Sequence, residues 1–129
     1  MKTDNLMRGD WLYYKGKLNA FPFKVEQVTK KKIGYHTEPN ESRMHYLRVC
    51  ECEPIPLTEE ILERSGFKRA TDDLYHIPIW KTPYSDGGFY IEKWGKGYGL
   101  TDHCYAIVNY VHEFQHLLKL VGINKEIKL

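Results

Sequence analysis

His112, Glu113 and His116 form an H-E-x-x-H sequence, the pattern with which zinc peptidases place two metal ligands and a general base on one helix. Histidines four residues apart share one helical face, so both rings can reach one metal ion, and the carboxylate between them can take a proton from a bound water. A catalytic zinc also needs a third protein ligand. The chain has Lys119 and Gly122 where a metzincin sequence would continue with Gly and His.

Three other side chains are candidates for that third ligand. The carboxylate of Glu126 follows the motif near the C-terminus, and His103 and Cys104 precede it. A zinc-dependent hydrolase that uses the two motif histidines as metal ligands and Glu113 as general base is therefore an alternative interpretation of this chain.

The residues around the motif predict an amphipathic helix. Successive side chains of a helix advance by about 100°, so the apolar residues of this stretch gather on one face. They are Tyr110, Val111, Phe114, Leu117, Leu118 and Val121. With this face against a sheet, His112, His116 and Lys119 point toward solvent and Glu113 lies on a flank. We therefore predict an ordinary surface helix, with no metal, no cofactor and no catalytic residue.

Cys50 and Cys52 form a C-x-C sequence at a predicted strand end, and this alternation puts both thiols on one face. With His103 and Cys104 they are candidates for a structural zinc site, although such cysteines more often act as small core residues. The chain has three cysteines, an odd number that favours reduced thiols. Because the N-terminus also lacks the pattern of a secretory signal, we expect a cytoplasmic protein.

The densest basic cluster lies in the stretch TKKKIGY, residues 29–35, between two alternating apolar stretches. This context predicts a solvated hairpin turn. The alternative is a weak nucleic-acid contact through Lys30, Lys31 and Lys32, with Tyr35 as a nearby aromatic side chain. The sequence pI of about 8.3 is below the value above ~9 that is typical of a dedicated nucleic-acid domain.

Length and composition predict one globular domain over residues 1–129. The 129 residues, of which 42% are hydrophobic and 28% charged, suffice for a core without disulfide bonds. No apolar run approaches the ~20 residues of a membrane span, so we expect no membrane partner. The ten tyrosines and three tryptophans are a high aromatic content, which we assign mainly to the core, with a ligand-binding aromatic face as the alternative.

The order of predicted elements indicates an α+β fold. Short aromatic and β-branched stretches between residues 9 and 48 predict an SH3-like partial β-barrel in the first half, about 1–57. Within it, Phe23, Val25 and, one step out of register, Val28 face inward. The second half, about 58–129, begins with a short helix that Thr58 caps and Gly66 ends.

The rest of the second half is predicted as a small antiparallel sheet under the C-terminal amphipathic helix. Its three strands are LYHIPIWK, GFYIEKW and HCYAIVNY, the first interrupted by Pro78 at an edge or a bulge. The glycine-rich GKGYG at residues 95–99 lacks the ending of a phosphate-binding loop and is predicted as a turn.

Three stretches, NLMRGDWLYYKGK, EPIPLTEEILERSGF and YVHEFQHLLKLVGI, resemble a family of small uncharacterised proteins of gut anaerobic bacteria, often encoded in prophages or other mobile elements. The resemblance extends from end to end of the chain. The family's last block has the form Y-V-H-x-L-Q, and this chain has Phe114 in place of the Leu. The resemblance implies that Glu113 and His116 are not part of the family signature. It implies no activity, ligand or cofactor.

The absence of a complete catalytic constellation favours a non-enzymatic binding or accessory protein, because small barrels present loops and aromatic faces to partners. The partner is an unspecified protein or nucleic acid. Zinc-dependent hydrolysis and weak nucleic-acid binding are the two alternatives.

Overall fold

The computed structural model describes residues 3–16, 19–38, 40–71, 74–81, 86–95, 97–100, 103–120, 122–123 and 125–129. The chain divides into two compact units, Met1–Ile55 and Pro56–Leu129.

The first unit contains six short strands and one turn of 3₁₀ helix. They are β1 (Trp11–Lys15), β2 (Ala20–Lys24), β3 (Gln27–Val28), β4 (Lys32–Tyr35), β5 (His45–Arg48), the 3₁₀ helix Val49–Glu51 and β6 (Cys52–Pro54). The strands form two antiparallel three-stranded sheets, in the orders β2-β1-β6 and β3-β4-β5. The predicted run of short strands in this half is confirmed.

The chain passes from one sheet to the other between β2 and β3. The amide of Val25 donates to the carbonyl of Asp10 at 2.8 Å, whereas the next amide, that of Glu26, donates to the carbonyl of Gly34 on β4, also at 2.8 Å. Phe23 and Val25 are buried and Val28 is partly buried. The inward face and its shift of register are as predicted.

The core of the first unit consists of Leu12, Phe23, Val25, Ile33 and Cys52, all buried. Cys52 begins β6, whereas Cys50 lies in the 3₁₀ helix and is exposed. The prediction that both thiols share one face is wrong, because the helical turn replaces the alternation of a strand between them.

The second unit consists of two helices and a five-stranded antiparallel sheet. The helices are α1 (Glu59–Arg64) and α2 (Val111–Leu120), and the strands are β7 (Lys68–Thr71), β8 (Leu74–Lys81), β9 (Asp86–Trp94), β10 (Gly97–Leu100) and β11 (His103–Val108). The strands are arranged in chain order. The three predicted strands are confirmed as β8, β9 and β11 of one antiparallel sheet, but the predicted number of strands is too low, because β7 and β10 were missed. The register shifts between Pro78 and Trp80, which confirms the predicted irregularity at this proline.

Strand β10 lies where a glycine-rich turn was predicted. Among the described residues of this stretch, Gly95, with a φ of +59°, lies in the turn, whereas Gly97–Leu100 pairs with β9 and β11. A Cβ on Gly97 would come within 2.6 Å of Ile107 Cγ2, so this glycine allows β11 to approach closely. Tyr98, between two glycines, is buried. Because Gly97 and Gly99 carry no side chains, the alternation of apolar and polar residues that predicts a strand is absent here.

Helix α1 has the predicted ends. The amide of Ile61 donates to Thr58 Oγ1 at 3.3 Å, which satisfies one of the free N–H groups of the first turn. At the other end Gly66 has a φ of +96°, its amide donates to the carbonyl of Glu63, and that of Phe67 donates to the carbonyl of Leu62. These bonds form a Schellman motif that returns Phe67 to the core.

Helix α2 presents the predicted apolar stripe to the core. Val111, Phe114, Leu117 and Leu118 are buried, and the rings of Phe114 and Phe67 lie 5.4 Å apart. Tyr110, which precedes the helix, is 38% exposed, so its assignment to the stripe is wrong. The predicted member Val121 lies outside the described residues.

The α+β class is confirmed. The described residues contain two α-helices and three antiparallel sheets, of which none closes into a barrel. No helix in this part of the chain has the length and apolar character required to cross a membrane.

Candidate functional site

His112 and His116 lie one turn apart on α2. Their ring centroids are 5.9 Å apart with the planes nearly perpendicular, and the ring of His112 stacks on that of Tyr110 at 6.1 Å. Both histidines are partly buried. The sequence predicts that both rings point toward solvent. In the structure each ring is partly buried, because His112 packs between Tyr110 and His116.

Glu113 caps the helix on which it lies. Its Oε1 accepts hydrogen bonds from the amides of Asn109 at 3.0 Å and Tyr110 at 3.1 Å. Since α2 begins at Val111, Tyr110 is the N-cap and Glu113 the third helical residue, the position from which an acidic side chain reaches back in a capping box. The carboxylate that a zinc peptidase would use as general base thus binds two backbone N–H groups.

The third metal ligand that a zinc enzyme requires is not found among the described side chains. In this part of the chain no three His, Cys, Asp or Glu side chains form a group that could hold a metal ion. The side chains of His103 and Cys104, proposed as ligands from the sequence, lie outside the described part.

The basic cluster forms the predicted hairpin turn. Thr29 and Lys32 face each other across it, with the amide of Thr29 donating to the carbonyl of Lys32 at 2.9 Å and the amide of Lys32 donating to Thr29 Oγ1 at 3.0 Å. Lys30, Lys31 and Lys32 are exposed. Tyr35, however, lies at the other end of β4 and packs against the core. The structure therefore does not bring this tyrosine to the lysines.

A groove of about 780 Å³ lies in the first unit, along strand β2. Its lining consists of Trp11, Phe21, Pro22, Phe23, Lys24, Glu26, Tyr35, His36, Thr37 and Glu38. Four consecutive residues of β2 line the groove. Because successive side chains of a strand point to opposite faces, a groove that contacts all four runs along the outer edge of this strand and not over one face. Pro22 lies on this edge, where its missing N–H removes no ladder bond.

Aromatic rings form the floor of this groove, which we call the aromatic groove. Tyr35 lies 5.9 Å from Phe21 and 5.3 Å from Phe23, centroid to centroid. Lys24 Nζ lies 5.2 Å from the centre of the Trp11 ring, within the range of a cation–π interaction. The groove therefore offers apolar ring surface together with a cation.

The rim of the aromatic groove carries carboxylates. Glu26 forms a 2.8 Å ion pair with Arg8, and Glu38 is exposed. The apolar floor can bury a ligand, and the charged groups of both signs can fix its orientation and select its charge.

The residues that follow β4 are held by Glu41. Its Oε2 accepts from the hydroxyl of Thr37 at 2.6 Å and from the amide of Thr37 at 3.0 Å, and its Oε1 lies 2.9 Å from His45 Nε2. The hydrogen bonds from Thr37 and His45 lower the pKa of Glu41 to about 2. These bonds order the wall of the aromatic groove at Thr37 and Glu38.

The aromatic groove was not predicted as a site. The stretch FPFKVEQV, residues 21–28, predicts only a strand that is half-buried over residues 23–28, and the aromatic residues of the chain are predicted mainly for the core. Pro22 was the signal in the sequence that could have indicated the groove, because a proline within a strand marks an edge strand.

Comparisons of the chain with protein-family models, with curated proteins and with solved structures find no match.

Proposed function

We propose that the chain is a small non-enzymatic binding protein, and that its first unit holds an extended peptide segment of a partner protein in the aromatic groove. The observation that carries this proposal is the course of the groove along the outer edge of β2. An extended peptide matches an exposed strand edge in length and direction, and aromatic floors bind extended segments through their side chains.

The charges of the groove favour a peptide that is not strongly charged overall. Lys24 is positive, and Glu26 and Glu38 are negative. Because Arg8 pairs with Glu26, the charges around the groove balance, and no excess of positive charge attracts a polyanion such as nucleic acid to this site. A peptide with apolar residues and one basic side chain satisfies both the rings and the rim.

We propose further that the first unit is an SH3-like partial barrel. This proposal is supported by the continuous segment from β2 to β3, whose two halves belong to different sheets, and by the 3₁₀ helix before the last strand. It is also supported by the pairing of that last strand with the first. Small barrels of this kind present binding surfaces at strand edges and loops.

Membership of the gut-anaerobe family is also a proposal, supported by the three sequence blocks at Asn5–Lys17, Glu53–Phe67 and Tyr110–Ile123. It implies that the coding sequence lies in a prophage or other mobile element. The genes that flank the coding sequence are its test, since chromosomal housekeeping genes on both sides would contradict it.

The peptide proposal is tested by selecting displayed random peptides of about 12 residues against the chain. We expect selected peptides to bind the parent and to lose tenfold or more affinity, on the order of a hot-spot loss, for Trp11→Ala. Tyr46→Leu, on another sheet, is the matched control and should bind as the parent does. Failure to enrich any peptide, or equal binding to Trp11→Ala, would contradict the proposal.

A further inference from the structure

The outer face of the sheet β3-β4-β5 carries a second set of residues. Directly paired residues of antiparallel strands point to the same side, so Tyr46 lies beside Gly34, and Arg48 lies beside Lys32. Gln27 pairs with Gly34 from the other strand. We call Gln27, Lys32, Tyr46 and Arg48 the outer face, since the intervening residues Ile33 and Leu47 pack on the core.

Tyr46 lies across this sheet and stays half-exposed. Its hydroxyl donates to Gln27 Oε1 at 3.2 Å, so the side chain reaches over the central strand from β5 to β3. At the crossing point is Gly34, where a Cβ would come within 3.2 Å of Tyr46 Cε1 and 2.9 Å of Met44 Sδ. The glycine thus lets the ring lie against the backbone, while Tyr46 remains 52% exposed.

Positively charged side chains lie on the same face of the sheet as this ring. Lys32 and Arg48 are exposed cross-strand neighbours, and like charges placed directly opposite destabilise a sheet. Glu51 lies 3.3 Å from Arg48 Nε and offsets one of them in an exposed pair. Lys30 and Lys31, in the adjoining turn, are also exposed. An anionic ligand would relieve the repulsion that the sheet register creates.

We propose that the outer face binds single-stranded nucleic acid, with one base stacked on Tyr46 and the adjacent phosphates on Lys32 and Arg48. Tyr46 and Arg48 are two residues apart on one strand, about 7 Å, a distance that one nucleotide spans between its base and its phosphates. A half-exposed ring with nearby cations is the arrangement with which single strands are bound without sequence preference. A duplex hides its base faces, so it cannot use the ring.

This inference changes the stacking residue of the nucleic-acid contact that the sequence offers as an alternative. It does not involve the aromatic groove. The basic residues Lys30, Lys31 and Lys32 remain, but the stacking residue is Tyr46 and not Tyr35, because pairing with β5 brings Tyr46 and Arg48 to the same face as Lys32. Trp11 contributes only to the groove.

The test is a fluorescence anisotropy titration with fluorescein-labelled oligothymidine of about 15 nucleotides, and with a duplex of equal length, at about 50 and 300 mM NaCl. Two or three phosphate contacts predict a loss of ~10- to 40-fold in single-strand affinity between these salt concentrations. Tyr46→Leu should weaken binding about tenfold, whereas Tyr46→Phe, which keeps the ring, should stay within about twofold of the parent.

Matched charge variants distinguish binding at the outer face from nonspecific electrostatic attraction of the oligonucleotide to the protein. Lys32→Gln with Arg48→Gln should weaken binding and reduce its salt dependence, whereas Lys125→Gln with Lys128→Gln, exposed in the second unit, should have little effect.

Three results would overturn the proposal: no saturable binding at low salt, equal affinity for the duplex, or unchanged binding by Tyr46→Leu. Nuclear magnetic resonance of the parent provides a test without substitution, since the Tyr46 ring protons should shift when oligothymidine is added. Shifts confined to other residues would also refute it.

Discussion

Glu113 provides the sharpest test of what the H-E-x-x-H sequence does. If its carboxylate caps α2, Glu113→Ala leaves the amides of Asn109 and Tyr110 without their acceptor and destabilises the helix. If the same carboxylate were a general base, its removal would abolish an activity with little loss of stability. The two roles therefore predict different effects of one substitution on the free energy of unfolding: a measurable loss for the capping role and little change for the general base.

The magnitude follows from the two contributions that the carboxylate makes. Loss of a capping side chain costs about 0.5–2 kcal/mol, and a negative charge near an exposed helix N-terminus contributes about 0.3–1 kcal/mol. Because Glu113 is partly exposed, we expect a total of about 1–2 kcal/mol for Glu113→Ala. Glu113→Gln keeps an acceptor oxygen and should lose only the charge contribution, about 0.3–1 kcal/mol.

Urea unfolding followed by far-ultraviolet circular dichroism measures these differences. Glu63→Ala is the matched control, since Glu63 is an exposed glutamate near the end of α1, and its loss should stay within about 0.5 kcal/mol. The zinc content of protein purified without a His tag should be substoichiometric in the parent and in His112→Ala. Unchanged stability of Glu113→Ala, together with stoichiometric zinc that His112→Ala loses, would refute the capping role and restore the metal site.

Three further predictions concern the core, the thiols and acid stability. Phe114→Ala should cost about 3–5 kcal/mol in urea unfolding through lost burial and the cavity left behind, whereas Leu120→Ala, 83% exposed on the same helix, should stay within about 0.5 kcal/mol. In native protein at mildly alkaline pH, iodoacetamide followed by peptide mass mapping should label exposed Cys50 and spare Cys52, because burial raises the pKa of the Cys52 thiol to about 11; equal labelling would contradict its burial. Glu41 has a pKa lowered from 4.5 to about 2, so it stabilises the fold above about pH 4.5 and this contribution is lost as the pH falls toward 2. The stabilities of the parent and Glu41→Gln, measured by urea unfolding, should therefore converge over that interval, and a constant difference would contradict the assignment.

Features that depend on neighbours along the chain could be predicted from the residues alone. Most strands of the first unit, the hairpin turn at Lys30–Lys32 and the ends of α1 at Thr58 and Gly66 appear as predicted, although the strand predicted through Phe23, Val25 and Val28 divides into β2 and β3, and β6 is not among the predicted strands. Alternation, helical periodicity and capping act over two to five residues, so local sequence contains the information. The apolar stripe of α2 was predictable for the same reason, and Val111 and Phe114 are its fully buried members.

Which residues act together depends on contacts between segments that are distant along the chain. Strand β10 was hidden because its glycines carry no pattern, and its identity depends on pairing with β9 and β11. The aromatic groove exists because β2 is an edge strand, and the outer face exists because the β4–β5 register places Arg48 beside Lys32 and Tyr46 beside Gly34. Edge position and register are set by contacts between distant segments, and a shift of one residue would turn every side chain to the opposite face.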